Sequence, residues 1–183
     1  MPRLQPLTER DELPAEAHEA FDAIVASRGS MPGPFAVMMH GPEVANRVAH
    51  LGAYLRFESS LSPVHQELAI LTATREFDCA PEWGGHVMLA RRAGVSDDTI
   101  QAIATMGELD ALPEDDAVIV RFGRELLRDH EVSDDAYAAA LAMYGASGVI
   151  DLSATLGYYA LMSTVLNAVG LEAREGAEPL PPR

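Results

Sequence analysis

The helical spacing of apolar residues is the feature that most constrains this chain, because it recurs along almost the whole sequence. Residues that favour the start or the end of a helix divide this pattern into segments. Ser62 is a favoured N-cap residue and Pro63 a favoured first helical residue, whereas Gly94 is typical of a left-handed helix end. No segment alternates between polar and apolar residues over the length of a strand. The sequence therefore predicts an all-α fold of about eight helices joined by short connections.

The same signals give approximate bounds for each predicted helix. Proline is tolerated in a first turn but not inside a helix, so Pro14, Pro81 and Pro113 each mark a predicted helix start. Residues 29–34, which are rich in glycine and proline, are predicted to break the chain between two helices. The predicted helices cover residues 14–28, 43–57, 63–76, 79–94, 97–106, 113–130, 134 onwards and 149–170.

The last predicted helix is apolar nearly all round, and it is long enough to cross a membrane. It carries Asp151 and Asn167, however, and a buried helix or a subunit interface tolerates such groups better than lipid does. We therefore expect a core or interface helix, and hence a homo-oligomer. A charged, proline-rich segment follows, so we predict one helical domain over residues 1–170 and a flexible tail over residues 171–183.

The charge of the chain argues against several classes of partner. All 13 basic residues are arginine, and they stand against 28 acidic residues, which gives a formal net charge of −15. Nucleic acid and anionic lipid both require basic surfaces, so we expect neither as a partner. The first ten residues contain no apolar segment typical of a signal peptide, and the expected location is therefore cytoplasmic.

Three reactive residues lie along one stripe of the helix that starts at Cys79. Cys79, Glu82 and His86 are spaced i, i+3 and i+7, and the stripe continues into apolar residues that pack inward. Polar groups that point inward must bond to one another or bind something else. Cys79 is also the only cysteine, which excludes an intrachain disulfide and zinc motifs that use several cysteines.

A fourth polar residue, Glu67, belongs to the preceding predicted helix, where its neighbours are apolar. A tight connection makes the two helices antiparallel neighbours, so we expect Glu67 to reach His86 or Cys79. A histidine that titrates near neutral pH moves protons, and two carboxylates beside it can divide the roles of acid and base. At a helix N-terminus near an imidazolium, the pKa of the Cys79 thiol is expected to be lowered.

The segment from Glu67 to Gly94 resembles the carboxymuconolactone decarboxylase family, which includes the alkylhydroperoxidase D-like proteins. The resemblance is carried by Glu67-Leu-Ala-Ile-Leu, by the Cys79-x-x-Glu82-Trp-x-x-His86 motif and by the Ala-x-x-Ala-Gly94 end. In the peroxidase branch, a Cys-x-x-Cys-x-x-x-His motif holds a redox pair. Here Glu82 occupies the place of the second cysteine, and the Glu-Trp-x-x-His version is similar to the decarboxylase branch.

The resemblance implies an alkylhydroperoxidase D-like helical bundle that assembles as trimers or hexamers. It also implies a small-molecule substrate and a catalytic site built from Glu67, Cys79, Glu82 and His86, with no cofactor and no metal. The implied reaction removes carbon dioxide from a carboxylated lactone and moves a double bond, which requires proton transfer and stabilisation of a dienolate. Arg56 or Arg75 is a candidate partner for the substrate carboxylate only because each is near the motif in sequence.

Other interpretations of these four residues remain open. Cys79 would be the peroxidatic thiol of a thiol-dependent peroxidase, although the chain has no second cysteine to resolve the oxidised form. Zinc or iron could also be bound by a mixed set of these residue types, namely Glu67, Cys79, Glu82 and His86. A third interpretation is a non-enzymatic oligomer in which the four groups form a buried structural network. Tyr158 and Tyr159 of the last helix either line the pocket or pack in the core or an interface, and packing is the favoured interpretation.

Overall fold

A computed structural model describes residues 2–183, and in that range it contains helices and no strands. This confirms the predicted all-α fold. Two short 3₁₀ turns, Arg10–Glu12 and Ala15–Ala17, come before the first α-helix. The helices are α1 (His18–Arg28), α2 (Gly33–Met38), α3 (Pro42–Phe57), α4 (Pro63–Glu76), α5 (Ala80–Ala93), α6 (Asp97–Ala104), α7 (Glu114–Arg128) and α8 (Asp134–Val169).

The predicted caps on either side of the reactive segment are confirmed. The hydroxyl of Ser62 accepts a hydrogen bond from the backbone N–H of His65 at 3.2 Å, which satisfies a donor in the first turn of α4. Ser96 accepts from the N–H of Thr99 at 3.1 Å in the same way at the start of α6. Gly94 has a φ of 108° and ends α5, because a left-handed residue cannot continue the helix.

The predicted break over residues 29–34 is partly wrong, because α2 begins within it. Pro32 is the N-cap of α2 and Pro34 lies in its first turn, where the ring is compatible with helical geometry. The buried apolar side chains of residues 35–38 then hold this short helix against α3. Pro32 and Pro34 therefore start a helix and do not interrupt the chain.

Helices α6 and α7 each end two residues before the predicted bound. They end at Ala104 and Arg128, whereas Met106 and His130 were predicted as the last residues. Met106 and His130 have φ values of 57° and 61°, which lie outside the right-handed helical region. Neither residue is glycine, so the residue type does not indicate a left-handed backbone conformation at either position.

The span α8 consists of two helical segments that meet at a break at Gly145, in line with the two helices predicted from residue 134 and over residues 149–170. Gly145 has φ 67° and ψ 179°, a conformation that is essentially restricted to glycine. By length and hydropathy, α8 is the one helix in the described range that could cross a membrane. However, 56% of its most apolar 18-residue stretch is buried, as in the core helix of a folded domain.

The chain divides into two compact units. The first comprises the chain up to Glu58 together with Val165–Glu172, and there α3 packs against α1 and α2. The second comprises Ser59–Thr164 and Ala173–Arg183, and it contains all four reactive residues. The single domain predicted over residues 1–170 stays a prediction.

Helix α4 is the centre of the second unit, where it contacts α5, α6 and α7. Every residue from Gln66 to Arg75 is buried, so α4 has no solvent face over this stretch. Gly123 of α7 allows a close approach, because a Cβ there would lie 2.8 Å from Thr72 Cγ2 and 2.9 Å from Leu156 Cδ2. The helix that carries Glu67 is therefore packed on several sides, which holds the backbone of the site rigidly.

The predicted tail has no regular secondary structure, but its last residues contact α4 and α5. The guanidinium of Arg75, which is 2% exposed, donates to the carbonyl of Pro181 at 2.8 Å. Arg91 of α5 forms an ion pair with Glu178. The flexibility predicted for residues 171–183 stays a prediction, although these contacts give the segment a defined position.

Candidate active site

Helices α4 and α5 are joined by a connection short enough to bring their inward faces together. Asp78, in this connection, has a φ of 49°, and the next residue, Cys79, donates its N–H to the carbonyl of Thr74 at 2.8 Å. The chain reverses here, so α5 runs back along α4. Glu67 near the start of α4 is thereby placed opposite His86 near the middle of α5.

His86 lies between two carboxylates. Its Nδ1 is 2.7 Å from Glu67 Oε2, and its Nε2 is 3.5 Å from Glu82 Oε2. The three side chains are only 6–8% exposed. Because a carboxylate only accepts hydrogen bonds, the proton of the short contact is on Nδ1 of the imidazole. Of the two partners expected for Glu67, His86 or Cys79, the structure places His86 in contact with it.

Two opposing effects act on the pKa of His86. Burial lowers this pKa, because it removes the imidazolium from water, whereas the hydrogen bond to Glu67 raises it, with further contributions from Glu82. The carboxylates outweigh the burial, and the net pKa lies above the ordinary histidine value. The ring therefore stays protonated to higher pH than a free histidine and can act as a general acid.

The expectation of a lowered thiol pKa is wrong for Cys79. The side chain is fully buried, and this burial raises the pKa of the thiol. The backbone N–H of Glu82 and the hydroxyl of Ser163 lower it by less, and the charge of Glu82 raises it. Desolvation of the sulfur therefore exceeds the effect of the helix N-terminus, and the resting thiol is protonated near neutral pH.

Helix α8 contributes two residues that the motif does not contain. The ring of Tyr159 meets the ring of His86 edge to face, with centroids 5.1 Å apart and planes at 83°. One turn later, Ser163 is fully buried beside Cys79, but no hydrogen bond of ordinary geometry forms between them. Tyr159 was attributed to packing from the sequence, and no sequence signal marks Ser163. Their i, i+4 spacing becomes informative only when α8 is known to face the site.

The arginines considered for a substrate carboxylate have other contacts or lie elsewhere. Arg75 forms an ion pair with Asp78 at 3.2 Å, in addition to its bond to the C-terminal segment. Arg56 belongs to α3 in the first unit. Across residues 2–183, no group of three or more histidine, cysteine or acidic side chains has an arrangement suited to a metal ion.

Residues 42–118 match the model of the carboxymuconolactone decarboxylase family, and this segment contains Glu67, Cys79, Glu82 and His86. The match extends over less than half of the chain, and it supports the carboxymuconolactone decarboxylase and alkylhydroperoxidase D-like superfamily. The resemblance inferred from the motif is thus confirmed, whereas the catalytic roles of the four residues stay predictions. No curated protein matches this amino-acid sequence.

Solved structures show the same fold at low sequence identity. An uncharacterised peroxidase-related protein from Ralstonia eutropha JMP134 has a TM-score of 0.73 and 16% identity, covering 93% of this chain and 92% of its own. A peroxidase-related protein from Silicibacter sp. TM1040 has a TM-score of 0.73, 16% identity and 97% coverage of both chains. The debrominase Bmp8, in complex with 2,3,4-tribromopyrrole, has a TM-score of 0.72 and 13% identity, covering 94% of this chain and 91% of its own.

Proposed function

We propose that Glu67, Glu82 and His86 form a cofactor-independent acid–base site, which decarboxylates or isomerises a lactone or a related enolisable acid. The observation that carries this proposal is one imidazole held between two buried carboxylates, with Nδ1 bonded to Glu67 and Nε2 facing Glu82. Such an arrangement separates the group that orients the ring from the group that exchanges a proton with it. The match of residues 42–118 to the decarboxylase family supports the same class of reaction.

In the proposed reaction, the bond to the substrate carboxylate breaks and carbon dioxide leaves. The electron pair moves into the adjacent unsaturated carbonyl system as a dienolate, and a proton then adds to carbon. His86 supplies that proton from Nε2, while Glu67 holds Nδ1 and fixes the ring. Glu82 is placed to exchange a proton with Nε2 between turnovers.

The test is turnover of a carboxylated γ-lactone, measured as release of carbon dioxide. We expect His86→Gln to lower kcat by about 10²-fold or more, because general acid–base groups contribute about 10²–10⁴-fold. Glu76→Gln is a control: Glu76 lies on α4, the helix that carries Glu67, but it pairs with Arg128 at 2.6 Å and not with His86. Unchanged turnover in folded His86→Gln would refute the acid–base role.

A thiol-dependent peroxidase with Cys79 as the peroxidatic residue is the second candidate. It is favoured by the position of Cys79 next to Glu82, and by two structural neighbours described as peroxidase-related. The thiolate would attack the peroxide oxygen, giving a sulfenic acid and an alcohol or water after protonation. With no second cysteine in the chain, an external thiol must reduce the sulfenic acid.

Peroxide reactivity separates the two candidates. A peroxidase requires Cys79 to form sulfenic acid, detected by mass spectrometry, faster than free cysteine does at the same pH. The raised pKa of the buried thiol favours a slower reaction, because only the thiolate is nucleophilic. Loss of peroxide consumption in Cys79→Ser, with lactone turnover absent in the unmodified protein, would replace the acid–base proposal by the peroxidase.

The proposal includes a cytoplasmic homo-oligomer, a trimer or hexamer, that acts on a small molecule and binds neither nucleic acid nor membrane. The net charge of −15 supports the exclusion of anionic partners. Exposed apolar side chains on α8, including Ile150 and Leu161, support contact between copies of the chain.

A further inference from the structure

Ser163 is a buried hydroxyl without a hydrogen-bond partner. It lies on α8 with no exposed surface, and its Oγ has no partner within ordinary hydrogen-bond geometry. Most serines inside a helix donate to a carbonyl of the preceding turn, as Thr155 and Thr164 do on this helix. An unpaired buried hydroxyl destabilises the fold, so Ser163 calls for a specific explanation.

The surroundings of Ser163 place its hydroxyl at the proposed active site. Tyr159, one turn earlier on α8, packs against the ring of His86, and Ser163 itself neighbours the sulfur of Cys79. Cys79 is the N-cap residue of α5, and Glu82 is the third residue of that helix. The backbone N–H of Glu82 also acts on the sulfur. Two donors, from α5 and α8, therefore converge on one sulfur atom.

We propose that the Ser163 hydroxyl and the Glu82 backbone N–H form a cradle for negative charge on Cys79 Sγ, which makes Ser163 a positioning residue for a latent nucleophile. In the resting protein the thiol is neutral, and the hydroxyl makes no ordinary hydrogen bond. When the thiol ionises, the sulfur becomes an acceptor and the hydroxyl gains a charge-assisted bond. The inference concerns the sulfur alone and does not depend on lactone turnover.

The experiment is a pH titration of the thiolate by its ultraviolet absorbance in the full-length protein, with Cys79→Ser as the blank. Ser163→Ala should raise the apparent thiol pKa by about one unit, since a hydrogen bond to a charged group is worth about that much.

Thr164→Ala is the matched control, because the adjacent Thr164 is exposed and its hydroxyl donates to the carbonyl of Ala160 at 2.8 Å. It should leave the thiol titration unchanged. Ser163→Ala should also leave the midpoint of thermal unfolding unchanged or raise it, because it removes an unpaired buried hydroxyl.

If the Cys79 thiol has the same apparent pKa in Ser163→Ala as in the unmodified protein, the inference is overturned, whatever effect the substitution has on stability. If that variant also unfolds at lower temperature, the hydroxyl has a structural role. Failure of the acid–base proposal is recognised separately, as absent lactone turnover in the unmodified protein, and it leaves the thiol titration fully readable.

Discussion

At the scale of single residues, His86 shows two large effects of opposite sign acting on one proton. Burial disfavours the imidazolium, and a hydrogen bond of 2.7 Å to the Glu67 carboxylate favours it. The carboxylates prevail, which raises the pKa of His86. The buried thiol of Cys79 has no cationic partner strong enough to reverse its desolvation, and its pKa is raised for that reason.

Glu67→Gln tests this balance directly. The substitution keeps the shape of the side chain but removes its charge, so we expect the pKa of His86 to fall by about one unit or more. The measurement is the titration of the His86 ring protons by NMR. Glu76→Gln on the same helix should not shift the His86 titration, because Glu76 pairs with Arg128. A pKa of His86 that is equal in Glu67→Gln and the unmodified protein would contradict this assignment.

The raised pKa of His86 also predicts how stability depends on pH. The folded state holds the proton more tightly than the unfolded state, whose histidine titrates near pH 6.5. This contribution to stability is therefore fully present below about pH 6.5, and it is lost as pH rises through the folded pKa.

Chemical denaturation between about pH 6.5 and 8 provides the measurement, below the range in which the Cys79 thiol ionises. We expect the free energy of unfolding to decrease with pH more steeply in the unmodified protein than in Glu67→Gln. Equal slopes in the two proteins would show that His86 does not gain its proton affinity from Glu67.

At the scale of elements, α5 presents one face to the site and another to the C-terminal segment. Glu82 and His86 point inward beside α4, whereas Gly84 lies against the end of the chain. A Cβ at Gly84 would come within 2.8 Å of Ala177 Cβ and 3.1 Å of the carbonyl oxygen of Glu178. The absence of a side chain at Gly84 therefore lets the C-terminal segment pack directly on α5.

Alanine substitutions at two neighbouring glycines distinguish the effect of this contact on stability from the effect of helix propensity. Gly85→Ala should increase the free energy of unfolding by about 0.5–1 kcal/mol, because alanine is the better helix former and nothing lies within 4 Å of the added Cβ. Gly84→Ala has the same gain in propensity but must displace Ala177. We expect lower stability than in Gly85→Ala and faster tryptic cleavage after the exposed Arg174. Identical stability and cleavage in the two variants would contradict docking of the segment.

At the scale of the whole molecule, α8 carries an exposed apolar stripe. Ile150 is 68% exposed and Leu161 is 42% exposed, and Gly157 lies between them on the same helical face. A strongly acidic chain has little reason to keep large apolar side chains in water unless another surface covers them. We predict that a second copy of this chain covers the stripe, as in a closed homo-oligomer.

Ile150→Glu tests this assembly. Placing a carboxylate at the centre of an apolar interface should convert the oligomer to smaller species, because the charge would be buried without a partner. Size-exclusion chromatography with light scattering measures the mass. Leu141→Glu is the matched control, since Leu141 is also exposed on α8 but precedes the break at Gly145. A monomeric unmodified protein, or an Ile150→Glu oligomer of unchanged mass, would contradict the prediction.

The local parts of this molecule were predictable from the sequence. Ser62, Ser96 and Gly94 act on backbone groups within a few residues of themselves, so the bounds of the reactive helices follow from local chemistry. The i, i+3 and i+7 spacing likewise placed Cys79 and His86 on one side of α5. The helix ends near Met106 were missed, because a left-handed non-glycine residue depends on its surroundings.

The sequence by itself determined the all-α fold and the position of Glu67 beside the Cys79–His86 stripe, because both follow from short-range periodicity and a short connection, while the motif indicated the family by resemblance. The tertiary structure decided that Glu67 bonds to His86 and not to Cys79. Only the tertiary structure decided the charge state of Cys79, since desolvation depends on every element packed around the sulfur. It also decided that Ser163, 84 positions further along the chain, lies beside that sulfur, and that the last residues rest on α5. These are contacts between distant segments, and no local pattern encodes which side chains they bring together.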